Sequence, residues 1–535
     1  MSSKQPAFAA VDRGTATVAV ALVGRVDARW RLLGSTAAPA GVPEEALLER
    51  LRGRLAAADP ALTADLGLLS ADSAAEVPRL TCSTTSAPEL AVVAATERVL
   101  APLVAAASSA GWRVRPLVLD GAEILAVATA LADPRVGAVL AGASDPPGAD
   151  ERPLVGDLGA LVAATTERRP DLVAVLAGGL AQPGGPVEGL FRPDRPGPTV
   201  LAPSPAVGGG EPLRALLDDL RGGADDGRRA LAAATGTLAD VLQRRIEVVE
   251  IGRSGATRVA AAWTAGTVAV PRAANVPEAA LLPRSFSDAH LNAVMGWLTV
   301  PLDRLRVRDR LRELALAPWG DAAGDGAQLR IAAARAALER LAAATPGFDA
   351  LPGPDLVIAS GGAWHVAPGP AVALALADVL RRPGVRAAGL DHARLLAPLG
   401  TIEDPEERHA VMADLRDDLV VPLGTVLMPS GLRTGRAMGR LVVHGEGGPV
   451  ELDLVPGGLE LVDLPPGERA VLELDLRDPV RLGLRTRHVA MEVAGGLGGL
   501  LVDLRDVPLP LPARLERRRE LLASWQAALW PELEP

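Results

Sequence analysis

The sequence predicts an α/β fold built twice over and followed by a mainly β C-terminal domain, and three observations carry that prediction. Short apolar strands alternate with helical segments as far as about Leu419, the pattern of strands covered by helices. A strand ending in an acid two residues before a glycine, then a polar turn and a second strand, occurs at Phe8 to Gly24 and again from Ile246 onwards, as a duplicated unit would show. From Val420 to Asp506 the texture changes to short alternating runs such as GRLVVHG, VELDLVP and LELVDLP between GEGG, PGG and PPGE turns. The expected domains are 1–245, 246–419 and 420–535.

Taken in order, FAAVDRGTATVAVALVG (Phe8 to Gly24) reads as two strands joined by a turn at Asp12 to Thr15, with Trp30 to Leu33 as a third. Glu44 to Ala57 and Glu89 to Ala110 have helical composition, whereas Arg113 to Leu119 is strand-like. Val136 to Ala141 and Leu172 to Ala177 are short buried strands with a helix between them, and the Gly/Pro-rich stretch Gly178 to Gly210 marks a junction or a surface excursion. The second start, IEVVEIG followed by RSGATRVAAAWTAG, repeats strand, glycine turn, strand. Helices are expected over Ser287 to Leu316 and Gln328 to Ala344.

Leu356 to Ala359 is the next buried strand; Gly361 and Gly362 break it, and Pro368 to Pro370 introduce the apolar helix Ala371 to Leu380. Glycine has no Cβ to block approach and tolerates positive φ, so such a turn suits the underside of a ligand ring or a phosphate; it is also an ordinary packing device. The last strand is expected at Gly499 to Leu504, followed by a proline run and a helix from Ala513 to Leu529.

Composition bounds the function. The chain has 535 residues, 49% hydrophobic and 22% charged, enough for more than one domain with its own core. No apolar run reaches the roughly 18 residues of a spanning helix, and the first residues lack a charged region followed by a hydrophobic one, so a cytoplasmic protein is expected. The formal net charge of -10 argues against a nucleic-acid partner. Cys82 is the single cysteine, which excludes an internal disulfide and a multi-cysteine zinc site. Lys4 is the only lysine, so a phosphate clamp falls to arginine or to backbone amides. The histidines show no metal-ligand spacing, and no GxxxxGK[ST] or GxGxxG motif is present.

An acid and glycine at a hairpin tip, a second such turn, and a glycine pair before a helix together resemble the three nucleotide-facing loops of the actin-like ATPase superfamily. Within it the chain resembles the MutL (GlmL) family associated with adenosylcobalamin-dependent glutamate mutase, which is unrelated to the mismatch-repair protein of that name. The resemblance rests on Asp12, Gly14 and Thr15; on PDLVAVLAGG (Pro170 to Gly179); on SGGAWH (Ser360 to His365); on GLDHARLLAPLGT (Gly389 to Thr401); and on GGLGGLLVDLRDVPLPLP near the end.

The resemblance implies a duplicated actin-like (ribonuclease H-like) two-lobe fold, with ATP and Mg2+ as ligands and an adenosylcobalamin-dependent mutase as partner. The implied role is that of a reactivating chaperone. It also implies site residues. Asp12 would stand near the metal, with Gly14 and Thr15 at the phosphates; Glu250, Gly252, Gly255 and Thr257 would form the second phosphate loop; Ser360, Gly361 and Gly362 would lie beneath the adenosine.

This chain departs from the family pattern where Val18 and Ala19 replace a Thr-Lys pair, where Glu250 replaces an aspartate, and where Arg258 falls near the place of a second one. Losing a carboxylate weakens hydrolysis more than binding, so a degenerate actin-like scaffold that binds a protein partner without ATP hydrolysis stands beside the ATP-linked reading. A small-molecule kinase is a third and weaker option. Arg13 is read as pointing to solvent, and Asp391 as capping a helix that begins at His392.

Overall fold

Ala7–Arg13, Thr17–Val26 and Arg29–Pro39 form an antiparallel meander, and Arg79–Ser83 adds parallel to the first of them. The computed structural model describes residues 6–68, 77–84, 89–121, 123–182, 199–221, 227–283, 286–317, 324–365, 367–432 and 438–529. Both faces of the first strand are buried, Phe8 and Ala10 on one side and Ala7, Ala9 and Val11 on the other, which is why it reads as a continuous apolar run.

The same order recurs further along the chain. Thr267–Val268, Ala256–Thr264 and Arg245–Ile251 are antiparallel neighbours, and Leu356–Ser360 again adds parallel to the strand that bears the acid. Gly384–Leu390 extends this second sheet in parallel. The duplicated α/β architecture expected from the sequence is therefore present, with the same strand order in both halves.

The second sheet continues across position 419. Val421–Met428 pairs antiparallel with Gly384–Leu390, Leu500–Asp503 lies parallel to Val421–Met428, and Leu459–Val462 closes the edge. The remaining C-terminal strands, Gly448–Leu454, Gly439–Gly445, Arg469–Leu482 and Leu484–Ala494, make an antiparallel sheet of their own. On Arg469–Leu482 the alternation is clean: Ala470, Leu472, Leu474 and Leu476 are buried while Arg469, Val471, Glu473 and Asp475 face solvent.

By compactness the chain divides into two units. One comprises residues 1–85, 225–273 and 278–535, the other 86–224 and 274–277. The second unit is a parallel five-stranded sheet, ordered Arg113–Val118, Glu89–Ala94, Val136–Ala143, Val173–Gly178, Thr199–Ala202.

Two element expectations are corrected. Glu89–Ala94, read as the start of a helix, is a strand, and the helix is Glu97–Ser109. The segment ELAVVA sits mid-sheet with both faces covered, and that burial overrides the helical propensity of its Glu, Leu and Ala. The helix expected over Ser287 to Leu316 is two, Asp288–Met295 and Arg304–Leu316, each started by a side-chain cap: Ser287 accepts from the His290 N–H and Asp303 from the Arg306 N–H.

The core of the larger unit joins its two halves. Phe8, Ala10, Val23 and Trp30 from the first sheet pack with Leu231, Leu238, Ile246, Val248, Leu399 and Leu415. The helix Gly227–Leu242 meets the short helix Leu396–Gly400 so closely that a Cβ on Gly400 would fall 1.8 Å from the Ala230 carbonyl oxygen. Among the described residues, no helix is long and apolar enough to cross a membrane.

Candidate functional site

Asp12 and Glu250 each stand one residue before the end of the strand that starts a half, Asp12 buried and Glu250 half-buried. The turns that follow them are built alike. Gly14 donates its N–H to the Thr17 carbonyl at 2.8 Å, and Gly252 donates to the Gly255 carbonyl at 2.9 Å. A Cβ on either glycine would press on that same oxygen, at 3.1 and 3.2 Å, so glycine keeps both turns tight. The turns also touch each other, with Thr15 Oγ1 and Ser254 Oγ 3.2 Å apart.

Strand register brings the other predicted residues to this place. Thr257 pairs across the hairpin with Glu250 and hydrogen bonds its carboxylate, and Ser360 is the parallel neighbour of Glu250. Gly361 adopts φ 94°, and a Cβ there would lie 2.6 Å from the Ile251 carbonyl oxygen, so the turn packs directly on the second acid-bearing strand. A Cβ on Gly362 would reach to 3.3 Å from Thr17 Oγ1 in the first half. The three predicted turns meet.

Sequence reasoning missed Arg394. It is buried and in the left-handed region at φ 56°. Its Nε donates to Asp12 Oδ2 at 2.6 Å, its Nη2 lies 2.5 Å from the same oxygen, and its Nη1 donates to Thr17 Oγ1 at 2.8 Å. The available signal was its position, as the one arginine in the otherwise mostly apolar connection from Asp391 to Thr401.

Asp391 needs correction. The helix begins at Leu396, not at His392, and the carboxylate is shared between the Leu395 N–H, to Oδ1 at 2.9 Å, and the Ser360 hydroxyl, to Oδ2 at 3.0 Å. It therefore belongs to the site.

Two arginines prove to be elsewhere. Arg258 pairs in register with Val249, so strand alternation turns it to the face opposite Glu250. There it is buried against Glu247 (2.8 Å), Thr345 (3.0 Å) and Asp349 (3.2 Å), over the Phe348 ring. Arg13 is exposed, as expected, and pairs with Glu44 at the start of the helix Glu44–Ala58.

The guanidinium of Arg394 pairs with Asp12, and the charges of Asp12 and Asp391 both act on Glu250. Burial pushes Glu250 up to about 7, with the nearby charges of Asp12 and Asp391 adding to it and Arg394 opposing. Burial likewise pushes Asp391 up to about 6, against its bonds from Leu395 and Ser360. His365, stacked on His392 with ring centroids 5.1 Å apart, is driven down to about 4 by burial and then by His392 and Arg394. Asp12 Oδ1 and the indole N–H of the fully buried Trp364 make no hydrogen bond.

An actin-like site implies a divalent cation close to the first-loop aspartate. The residues present do not fit one, because the Asp12 carboxylate already holds Arg394. Among the described residues, no group of three or more His, Cys, Asp or Glu side chains is placed to hold a metal ion.

No family model matches the sequence, and no curated protein matches it. Solved structures do. The ROK hexokinase from Thermus thermophilus is 16% identical, with 74% of this chain and 98% of that one covered and a TM-score of 0.20. The ethanolamine utilization protein EutJ from Carboxydothermus hydrogenoformans is 12% identical over 74% and 89%, with a TM-score of 0.23. A nucleotide-free acetone carboxylase is 13% identical over 84% and 81%, with a TM-score of 0.32. The likeness is one of fold.

Proposed function

We propose that the chain is an actin-like accessory protein that binds a protein partner as a scaffold and does not hydrolyse ATP. The observation that carries this reading is the direct contact of Thr15 with Ser254, since it joins side chain to side chain the two turns that would take a triphosphate from opposite sides. The ion pair of Asp12 with Arg394 supports it, because it engages the carboxylate that would assist a metal. The partner class follows from the resemblance of Gly389 to Thr401 and of the DLRDVPLPLP finish to the MutL family: an adenosylcobalamin-dependent mutase, with the cobalamin held by the partner.

A second reading keeps ATP-linked lobe closure. It is favoured by the meeting of all three glycine turns, which is the arrangement nucleotide binding requires, and by the small strength of a single hydroxyl–hydroxyl bond, about 1 kcal/mol, that nucleotide would have to displace. Under this reading Gly361 and Gly362 lie beneath the adenosine and the chain is a reactivating chaperone.

Titration with Mg-ATP by calorimetry, alongside phosphate release, separates the two. The scaffold reading expects neither binding in the micromolar range nor turnover. Tight binding with slow release of phosphate, abolished by Gly361→Ala, would establish the ATP-linked reading instead.

A further inference from the structure

The poor fit of the cleft to a metal has a positive counterpart. We infer that Arg394 is the resident cation of this cleft, its guanidinium standing in the seat a divalent ion would take and making the site independent of metal. The inference deepens the scaffold reading and rests on the cleft being the actin-like one.

Geometry is the first support. The Arg394 backbone belongs to the second half of the duplication, yet its Nε, Nη1 and Nη2 all end on the first half, at Asp12 and Thr17. It reaches there from a left-handed backbone at φ 56°, a conformation that non-glycine residues adopt only when their surroundings hold them. The Gly14 turn is shaped around it, since a Cβ on Gly14 would come within 3.3 Å of Nη2.

Charge is the second support. The guanidinium pairs with Asp12 from the first strand and its charge acts on Glu250 from the second acid-bearing strand and on the His365 ring, which stacks on His392, while its own backbone N–H donates to the Asp391 carbonyl at 3.3 Å. Arginine does not deprotonate, so the cleft always contains one positive charge of its own. That charge pairs with Asp12 through Oδ2, while Glu250 and Asp391 are pushed toward their neutral forms by burial. A dication taking the seat at Asp12 Oδ2 would have to displace the buried guanidinium from that carboxylate, and breaking a buried pair from one side is costly.

The test uses the full-length protein and Mn2+ alone, followed by electron paramagnetic resonance, with Arg394→Asn as the variant because asparagine tolerates the left-handed backbone. Wild-type protein is expected to take up no Mn2+ up to about 1 mM, and to melt at the same temperature in EDTA and in Mg2+. Arg394→Asn, with the seat vacated, is expected to bind Mn2+ at least about tenfold more tightly than that limit, because one or two carboxylates plus water suffice for such ions.

Stoichiometric uptake by the wild type that disappears in Asp12→Asn would overturn the inference. So would a folded Arg394→Asn that gains no Mn2+. If that variant does not fold, Arg394→Lys keeps the charge and serves instead: it is expected to remain silent to Mn2+, and uptake by it overturns the inference. ATP turnover that persists in EDTA would defeat the scaffold reading and leave this inference standing, whereas Mn2+ uptake without turnover does the reverse.

Discussion

Asp503→Asn is predicted to destabilise the protein more than Arg505→Met, although Arg505 makes more contacts. The two residues lie in the DLRDVPLPLP element and take part in a buried chain of charges. Arg505 donates to Asp503 at 2.9 and 2.8 Å and to Asp378 at 2.8 Å, and it stacks on Trp525 with Cζ 4.6 Å from the ring centroid. Arg335 donates to Asp378 at 2.7 Å and Arg381 to Asp503 at 2.7 Å. All five side chains are less than a tenth exposed, so solvent screens little.

Counting charge decides the order. Three guanidiniums face two carboxylates, and Arg386 is buried close by, lowered to about 10 by burial and then by Arg381 and Arg382, with Glu247 opposing. Removing Arg505 leaves two balanced pairs, Arg335 with Asp378 and Arg381 with Asp503. The cost is its lost bonds and stacking, about 2 kcal/mol. Neutralising Asp503 leaves Arg335, Arg381 and Arg505 facing the single carboxylate of Asp378, and breaking a buried pair from one side costs about 3–5 kcal/mol.

Urea unfolding at neutral pH, followed by Trp fluorescence, measures both. Burial acts against the Asp503 carboxylate, but Arg505 and Arg381 hold it below the usual range. Its stabilisation is therefore complete above an unfolded value of about 4 and fades as pH falls through the folded one, a loss that Asp503→Asn should lack. If Arg505→Met loses more stability than Asp503→Asn, the charge count is wrong.

Glu250→Gln should flatten the pH dependence of stability. The Glu250 folded value is raised to about 7, so its contribution is fully present below an unfolded value near 4.5 and is lost as pH rises through 7; by about pH 8 the variant should gain up to about 3 kcal/mol over the wild type, read as melting temperature against pH. Gly400→Ala has no room, with the Ala230 carbonyl oxygen 1.8 Å from the new carbon, and should cost about 1–3 kcal/mol or more, a drop of about 2–4 °C per kcal/mol in a thermal melt. Thr15→Val removes only the bond to Ser254 and should change unfolding free energy by about 1 kcal/mol or less in a denaturant titration.

The duplicated strand, acid and glycine turns could be read directly, because each is local. Asp12 with Gly14 and Glu250 with Gly252 lie two residues apart, and the hydrogen bond that closes each turn spans three. What escaped were features set by distant chain. Arg394 meets Asp12 across 382 positions, a pairing that no spacing rule exposes. Glu89–Ala94 has helical composition and becomes a strand only because neighbouring strands cover it. Arg258 stands near a family acid in sequence, and only the pairing of Val249 with Arg258 shows that it faces away from the site.

The duplication sets the same physical problem twice, a carboxylate taken partly or wholly out of water near the end of a central strand, and the halves solve it differently. Asp12 is matched by a permanent cation brought in from the other half. Glu250 has a threonine hydroxyl beside it and is held toward its neutral form by burial. An engine that binds and releases metal nucleotide needs both carboxylates free to take a passing cation. Here one is committed to an ion pair and the other, raised to about 7, is only partly ionised at neutral pH, so much of the charge is balanced within the chain. The same ion pair joins the two halves, so that opening them exposes Asp12 and Arg394 together.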